Sequence, residues 1–375
     1  MHLEGKSLPP LHGAGRDGPG AANGRWFERH PAITLIAFAT SLVVAGDLLG
    51  GWLFVPPAQQ FFRRPHHYYH HDLIPDAAGT LQWGDITYSM STNSLGFRDR
   101  RVREVSLDRV GRRIVLMGDS FTEGIGVNHE DTFAGRLEEA LGRRGIEVLN
   151  AAVAGYSPRL YYLKTRFLIE KLGLGFTELH VYLDMSDIPN EIIYETYVPR
   201  SRPINRLRWE LLRNLKRRSF TFYHLALLAS DLSNPLKTNA HGVPYADDLE
   251  SAAFDDPSFY TPEGHWTEAY EYAARGFRLA EVNMRRLVRL CRGHGISMTI
   301  VVYPWPTNIE RQELEHVQVR YWRAFAHDHG VRFVDLFPAF AHGRQPYQGL
   351  FIEDDVHWNE RGHALVGERV LAHVE

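Results

Sequence analysis

The longest apolar run in the chain is Ile33–Phe54, ITLIAFATSLVVAGDLLGGWLF, broken by a single charge, Asp47. A run of this length is about enough to cross a bilayer as a helix. Asp47 lies towards its far end, where a charge costs less than at the centre. From about Gly111 the texture changes. Short apolar segments at Ile114–Met117, Val148–Ala152, Leu179–Leu183, Met298–Tyr303 and Val331–Leu336 predict strands. Successive positions in them are apolar, so both faces should be covered, as in a parallel sheet between helices. Helical stretches lie between them. Asp131 is expected to cap a helix reaching Leu141, with Phe133, Leu137 and Leu141 on one face and Gly142 at its end. Ser157-Pro158 opens another that closes near Gly173. Strands alternating with helices imply right-handed βαβ crossovers and a three-layer α/β sandwich.

The remaining stretches are less regular. Residues 1–30 are rich in Gly and Pro without apolar periodicity and predict a disordered tail. Residues 31–55 form the candidate transmembrane anchor. Lys6, Arg16, Arg25 and Arg29 precede it and Arg63-Arg64 follow, a slight positive-inside bias that places the C-terminal domain outside the cytoplasm. A cleaved signal peptide is the rival reading, since Val43-Val44-Ala45 resembles a cleavage site; the long segment before it argues against cleavage. Residues 56–110 read as a connector, and 111–375 as the main domain. The alternation lapses between about Glu191 and Thr267, an insertion with a basic first part (Arg200 to Arg218) and an acidic second part (Asp247 to Asp256). A solvated, partly helical excursion is the plain reading of it, and a lid over a substrate cleft the sharper one.

Composition narrows the class. At 375 residues, 44% hydrophobic and 23% charged, the chain has the make-up of a folded α/β protein. A net charge of −3 supplies no basic field for nucleic acid. Cys291, the only cysteine, can form no internal disulfide and sits in a helical pattern as a core thiol. The run His66-His67-Tyr68-Tyr69-His70-His71 could bind metal, but no cysteine or carboxylate pattern supports a closed site, and packing or solvation is the expected role.

Two segments carry chemistry. Gly118-Asp119-Ser120 follows the first strand directly, and ligands of open α/β sheets collect at the carboxyl ends of strands. Near the C-terminus, Asp354-Asp355-Val356-His357-Trp358-Asn359 precedes an apolar helix. A serine hydroxyl needs a base to take its proton, an imidazole fits, and an acid must hold that ring in one tautomer. A carboxylate two or three residues before His357 supplies both from one loop. His363 is expected to cap or pack the closing helix.

These ordered blocks (GDSF-TEG, then Ala152-Val153-Ala154-Gly155-Tyr156-Ser157, then D-D-x-H-W-N) resemble the SGNH, or GDSL-type, hydrolase superfamily. Arg98 in NSLGFRD and Tyr303-Pro304-Trp305-Pro306 look like a bacterial membrane-anchored branch of it. The resemblance covers about residues 90–375 outside the insertion. It implies a flavodoxin-like five-stranded parallel sheet, with Ser120 as nucleophile and first oxyanion donor, Gly155 as a second donor, Asp119 beside them and His357 as base. The acid is Asp354 by the usual spacing or Asp355 by a D-x-H variant; the sequence leaves both open. The family's third block supplies an asparagine amide to the oxyanion. Here Ser186 stands in its place, between Asp184 and Asp187, both expected to be structural, with Asn190 as an alternative donor. Loss of one such donor typically costs about 10²–10³ in rate.

The resemblance implies a Ser-His-Asp esterase requiring neither metal nor organic cofactor. Its membrane-tethered branch suggests acetyl groups on a surface glycan as substrate. The alternatives are an O-acyltransferase using the same triad, a lipid esterase, and a glycan-binding or scaffold protein with impaired turnover.

Overall fold

The computed structural model describes residues 29–54, 62–199, 211–212, 214–215, 218–233, 268–341 and 347–374. The expected N-terminal tail and most of the insertion, including its acidic part, lie outside these residues. The chain divides into two compact units, residues 1–55 with 214–226, and residues 56–213 with 227–375.

In the first unit, α1 (Pro31–Phe54) is a 24-residue helix, long and apolar enough to cross a membrane, with mean hydropathy 2.0 and apolar side chains exposed. At about 1.5 Å per residue it reaches about 36 Å.

The second unit begins with two antiparallel hairpins, β1 (Arg63–His66) with β2 (His70–Leu73) and β3 (Ala78–Trp83) with β4 (Ile86–Ser91). The sheet and its helices follow in chain order: β5 (Arg113–Met117), α2 (Ser120–Glu123), α3 (Phe133–Gly142), β6 (Glu147–Asn150), α4 (Pro158–Phe167), β7 (Glu178–Leu183) and α5 (Asp187–Ile193). Beyond the insertion, which holds α6 (Phe220–Ser233), come α7 (Glu268–Gly293), β8 (Ser297–Val302), α8 (Val317–Asp328), β9 (Arg332–Asp335) and α9 (Glu360–Val374). The five long-range strands pair in parallel in the order β6-β5-β7-β8-β9. This is the flavodoxin-like order, whose switch point falls where β5 meets its neighbours on either side.

Both faces of the sheet are covered, and the strands are apolar at most of their successive positions. On β5, Val115 and Met117 join a core formed with α4, α7 and α8, while Ile114 and Leu116 join a second core with α3 and α9. A strand's side chains alternate between faces, so two cores on one strand are the signature of a middle layer.

One local expectation changes. The cap of α3 is Thr132, whose hydroxyl accepts from the Gly135 N–H; Asp131 belongs to the preceding 3₁₀ turn. Ser157-Pro158 opens α4 as expected, and the Ser157 hydroxyl donates to Glu191 Oε2 at 2.7 Å. The stretch expected as a connector folds into the main unit. Its Lys164 contact explains why: the Asp72 carboxylate of β2 receives the ammonium of Lys164 on α4 at 2.7 Å, both side chains fully buried. Arg98, 1% exposed, donates to the Glu123 carbonyl at 2.6 Å and to the carbonyls of Gly124 and Val127. A buried guanidinium on three carbonyls makes the segment part of the core.

Candidate active site

The chain leaves β5 at Met117 and turns at once into the four-residue helix α2, so Ser120 stands at the carboxyl end of a central strand. Asp119 forms the turn. Its Oδ1 accepts the Phe121 N–H at 3.1 Å and the Tyr303 hydroxyl at 3.0 Å, which fixes the first residues of α2. From the opposite end of the chain, the segment before α9 brings His357 alongside. His357 Nε2 lies 2.8 Å from Ser120 Oγ, and its Nδ1 lies 2.6 Å from Asp355 Oδ1.

Of the two acid candidates the structure brings Asp355 to the imidazole. The same Oδ1 accepts the His357 backbone N–H at 2.7 Å, and Oδ2 accepts the indole N–H of Trp83 at 2.7 Å. Asp354 is exposed and left-handed at φ 54°, the twist that lets the next residue face inward. Burial opposes the Asp355 charge, but the bonds and charge of His357 and the Trp83 bond outweigh it and hold this carboxyl below its usual range. An ionised carboxylate only accepts, so the ring proton sits on Nδ1 and Nε2 is left to accept from the serine. Burial also opposes protonation of His357. Asp355, by hydrogen bond and charge, with Asp119 and Asp184 further off, outweighs it and raises the imidazole above its ordinary value.

Gly155 follows β6 in a loop at φ 75°, the left-handed region that favours glycine. The loop is held from both sides. Ala154 N–H donates to Glu123 Oε2 at 2.7 Å, and the Ala154 carbonyl lies 3.1 Å from His71 Nε2. Arg63 in turn pairs with Glu123 at 2.9 Å, and the Tyr156 hydroxyl donates to the His71 carbonyl at 2.6 Å. Among the described residues the backbone N–H groups of Ser120 and Gly155 find no acceptor.

Ser186 is engaged elsewhere. Its hydroxyl lies 2.7 Å from Asp184 Oδ1 and 3.1 Å from Asp119 Oδ2, and it has one proton to give. In this arrangement it braces the two carboxylates. Asp184 also takes the Ser186 N–H at 2.9 Å and the Trp305 indole N–H at 2.8 Å, and Asp187 takes the Asp184 N–H at 2.9 Å and the Tyr161 hydroxyl at 2.7 Å. These two carboxylates hold the loop. Burial raises all three carboxyls, and like charges add to it for Asp119, pushed up to about 7 beside Asp184, and for Asp187 beside Asp184 and Asp119. Asn190 lies one turn further on, within α5. Ser186→Ala is therefore expected to lower kcat by less than the about 10²–10³ of a lost oxyanion donor. Steady-state hydrolysis of a nitrophenyl ester measures it.

The other candidates pack. His363, 1% exposed, accepts the Phe133 N–H at 3.3 Å and stacks on that ring, so it closes the start of α3. His66 stacks on Tyr69 with centroids 3.6 Å apart. Cys291 is buried, its thiol pushed up to about 12 by desolvation.

No protein-family model matches the chain, and no curated protein sequence does. Solved structures do. TesA aligns over 70% of this chain and 98% of its own, at 12% identity and TM-score 0.40. The lipase/acylhydrolase from Enterococcus faecalis covers 70% and 95%, at 13% identity and TM-score 0.36. An acetyl xylan esterase variant from Geobacillus stearothermophilus covers 72% and 97%, at 14% and 0.37. At these identities and TM-scores the likeness says nothing of chemistry, which rests on this chain's own side chains.

Sequence reasoning missed Trp83 and the roles of His71 and Glu123. The first two lie on the hairpins expected to be a connector; no motif marks Trp83, and His71 stands in the histidine run for which packing or solvation was expected. Glu123 was in view, within the GDSF-TEG block, but its carboxylate gives no local sign that it serves the Gly155 loop.

Proposed function

We propose that this chain is a serine ester hydrolase in which Ser120 is the nucleophile, His357 the general base and Asp355 the acid that orients it. The observation that carries the reading is the unbroken line of hydrogen bonds Ser120–His357–Asp355 at the carboxyl end of β5. Ser120 Oγ attacks an ester carbonyl while His357 Nε2 takes its proton. The backbone N–H groups of Ser120 and Gly155 receive the oxyanion. His357 then returns the proton to the leaving alkoxide, giving an acyl-enzyme and an alcohol. Water, deprotonated by the same nitrogen, releases the acid and restores the serine.

The acyl group in this reading is acetyl and its carrier a surface glycan, with α1 anchoring the protein in the cytoplasmic membrane and the hydrolase domain on its outer side. Trp83, whose ring meets that of His357 edge-on at 5.2 Å, offers an aromatic flank to a sugar ring at the mouth of the site.

Purified full-length protein in detergent, assayed on nitrophenyl acetate, butyrate and octanoate, tests this. Acetate is expected to turn over fastest, and a preference for octanoate would reject the acetyl assignment in favour of a lipid ester. The base works only when neutral, so kcat/KM should fall as pH drops through the His357 pKa. Its midpoint is expected above about 6.5, the ordinary imidazole value. A midpoint below that value would contradict the charge arrangement around the ring.

A further inference from the structure

Asp47 is the charge that the apolar run of α1 should not hold, and the structure gives it an employment within the first unit. Its Oδ1 accepts the backbone N–H of Thr221 at 2.7 Å, at the first turn of α6. A carboxylate on the N-terminal N–H groups of a helix satisfies donors that otherwise have no partner and faces the positive end of the helix dipole. The contact is continuous along one face of α1. Asp47, Gly50, Gly51 and Phe54 recur at i, i+3, i+4 and i+7, and each meets residues 218–221. A Cβ at Gly51 would sit 2.1 Å from the Arg218 carbonyl oxygen, and one at Gly50 3.2 Å from Phe220 Cβ. At position 51 only glycine admits the Arg218 backbone so closely. Phe54 and Phe220 close the face edge-to-face, with centroids 6.1 Å apart.

The helix so capped is itself unsuited to water. From Phe220 to Ala229 it reads FTFYHLALLA, without a charged residue. Leu225 and Leu228 are 59% and 54% exposed. The helix carries its first charge only at Asp231, in its last turn, and a helix so largely apolar belongs in a core or in lipid. In sequence it follows Lys216-Arg217-Arg218, a basic flank suited to anionic headgroups. Asp47 lies seven residues, about 10 Å, before the end of α1, which is the depth of the headgroup–acyl boundary.

We propose that α6 is a second membrane-seated helix, lodged in the interfacial layer of an anionic bilayer and fastened to α1 through the Asp47 cap. The insertion thus returns the chain to the lipid surface instead of forming only a solvated excursion. Retention of α1 is part of the proposal, because cleavage would remove the carboxylate that receives the Thr221 N–H and leave only the Ser219 hydroxyl, on the Phe222 N–H at 2.9 Å, at the start of α6. This rests on the reading of α1 as a membrane helix.

Full-length protein carrying Cys291→Ala and one nitroxide, attached at Leu225→Cys or Leu228→Cys, is reconstituted into mixed phosphatidylcholine–phosphatidylglycerol vesicles. Collision with oxygen and with a nickel chelate is then read by electron paramagnetic resonance. Labels at Leu42→Cys in α1 and at the exposed Val110→Cys serve as references. Oxygen should exceed nickel at 225 and 228, as at 42, with the reverse at 110. Adding Asp47→Leu should raise the mobility of the label at 225 and leave that at 42 unchanged. Nickel exceeding oxygen at 225 and 228 overturns the proposal, as does low access to both reagents, which would mean a protein partner covers α6. An unchanged label at 225 in Asp47→Leu overturns the cap. Nickel exceeding oxygen at 42 as well would instead reject the membrane reading of α1.

Discussion

Asp355→Asn should lower kcat by about 10⁴, the loss expected when the orienting acid of a serine triad becomes an amide. The local geometry makes the reason specific. Trp83 donates its indole N–H to Oδ2 and fixes that atom as an acceptor. In the variant the amide oxygen must face Trp83, so the amide NH₂ turns to His357 Nδ1. The ring proton is then driven to Nε2, where it can no longer accept from Ser120. The His357 backbone N–H, which donates to Oδ1 in the native site, loses its acceptor as well. Asp354→Asn, at an exposed position off the imidazole, should stay within about twofold, as surface substitutions usually do. Steady-state kinetics on the acetate ester separate the two. The opposite ranking would return the acid's role to Asp354.

Lys164→Met should destabilise the second unit by on the order of 3–5 kcal/mol, the cost of leaving one member of a buried ion pair alone. Asp72 would keep the Tyr69 hydroxyl at 2.7 Å and the Leu73 N–H at 2.9 Å, but no cation. The ammonium also stands 5.1–5.5 Å from the ring centroids of Tyr69, Phe97 and Tyr156, so the change also removes attractions to three aromatic faces. Burial depresses the Lys164 pKa, yet Asp72 opposes that, and the pair persists. Replacing both partners, Lys164→Met with Asp72→Leu, should recover much of the loss, because an apolar pair leaves no charge unmatched. Urea unfolding followed by tryptophan fluorescence reads both. The hairpin that Asp72 ties down also carries His71 and Arg63, which brace the Gly155 loop, so the single variant should lose activity below its unfolding midpoint.

The sheet was legible because its strands are apolar at most successive positions, as short runs are when both of their faces are buried. The meeting of Ser120 and His357 was legible because each stands in a short block next to an element end. Which of Asp354 and Asp355 meets the imidazole was not, since they are neighbours and only the backbone twist at 354 decides which one faces inward. Ser186 was read by position as a donor. Its proton is claimed by Asp119 and Asp184, distant in sequence from one another, and no local pattern announces that. The hairpins of residues 63–91 looked like a connector because their apolar positions are sparse. What binds them is a buried ion pair, aromatic contacts and a few buried side chains such as Leu73, Leu81 and Met90, too few for a strong apolar pattern. The helix start at Thr132 shows the same limit on a small scale: Asp131 and Thr132 are both good caps, and the chain uses the second.

The most direct measurement is the intact mass of the full-length protein after reaction with a fluorophosphonate, in the native chain, Ser120→Ala and His357→Ala. One adduct on the native protein, none on Ser120→Ala and a far slower one on His357→Ala is the expected result. A native chain that takes no adduct, or an adduct that survives in Ser120→Ala, would contradict an activated hydroxyl at the end of β5.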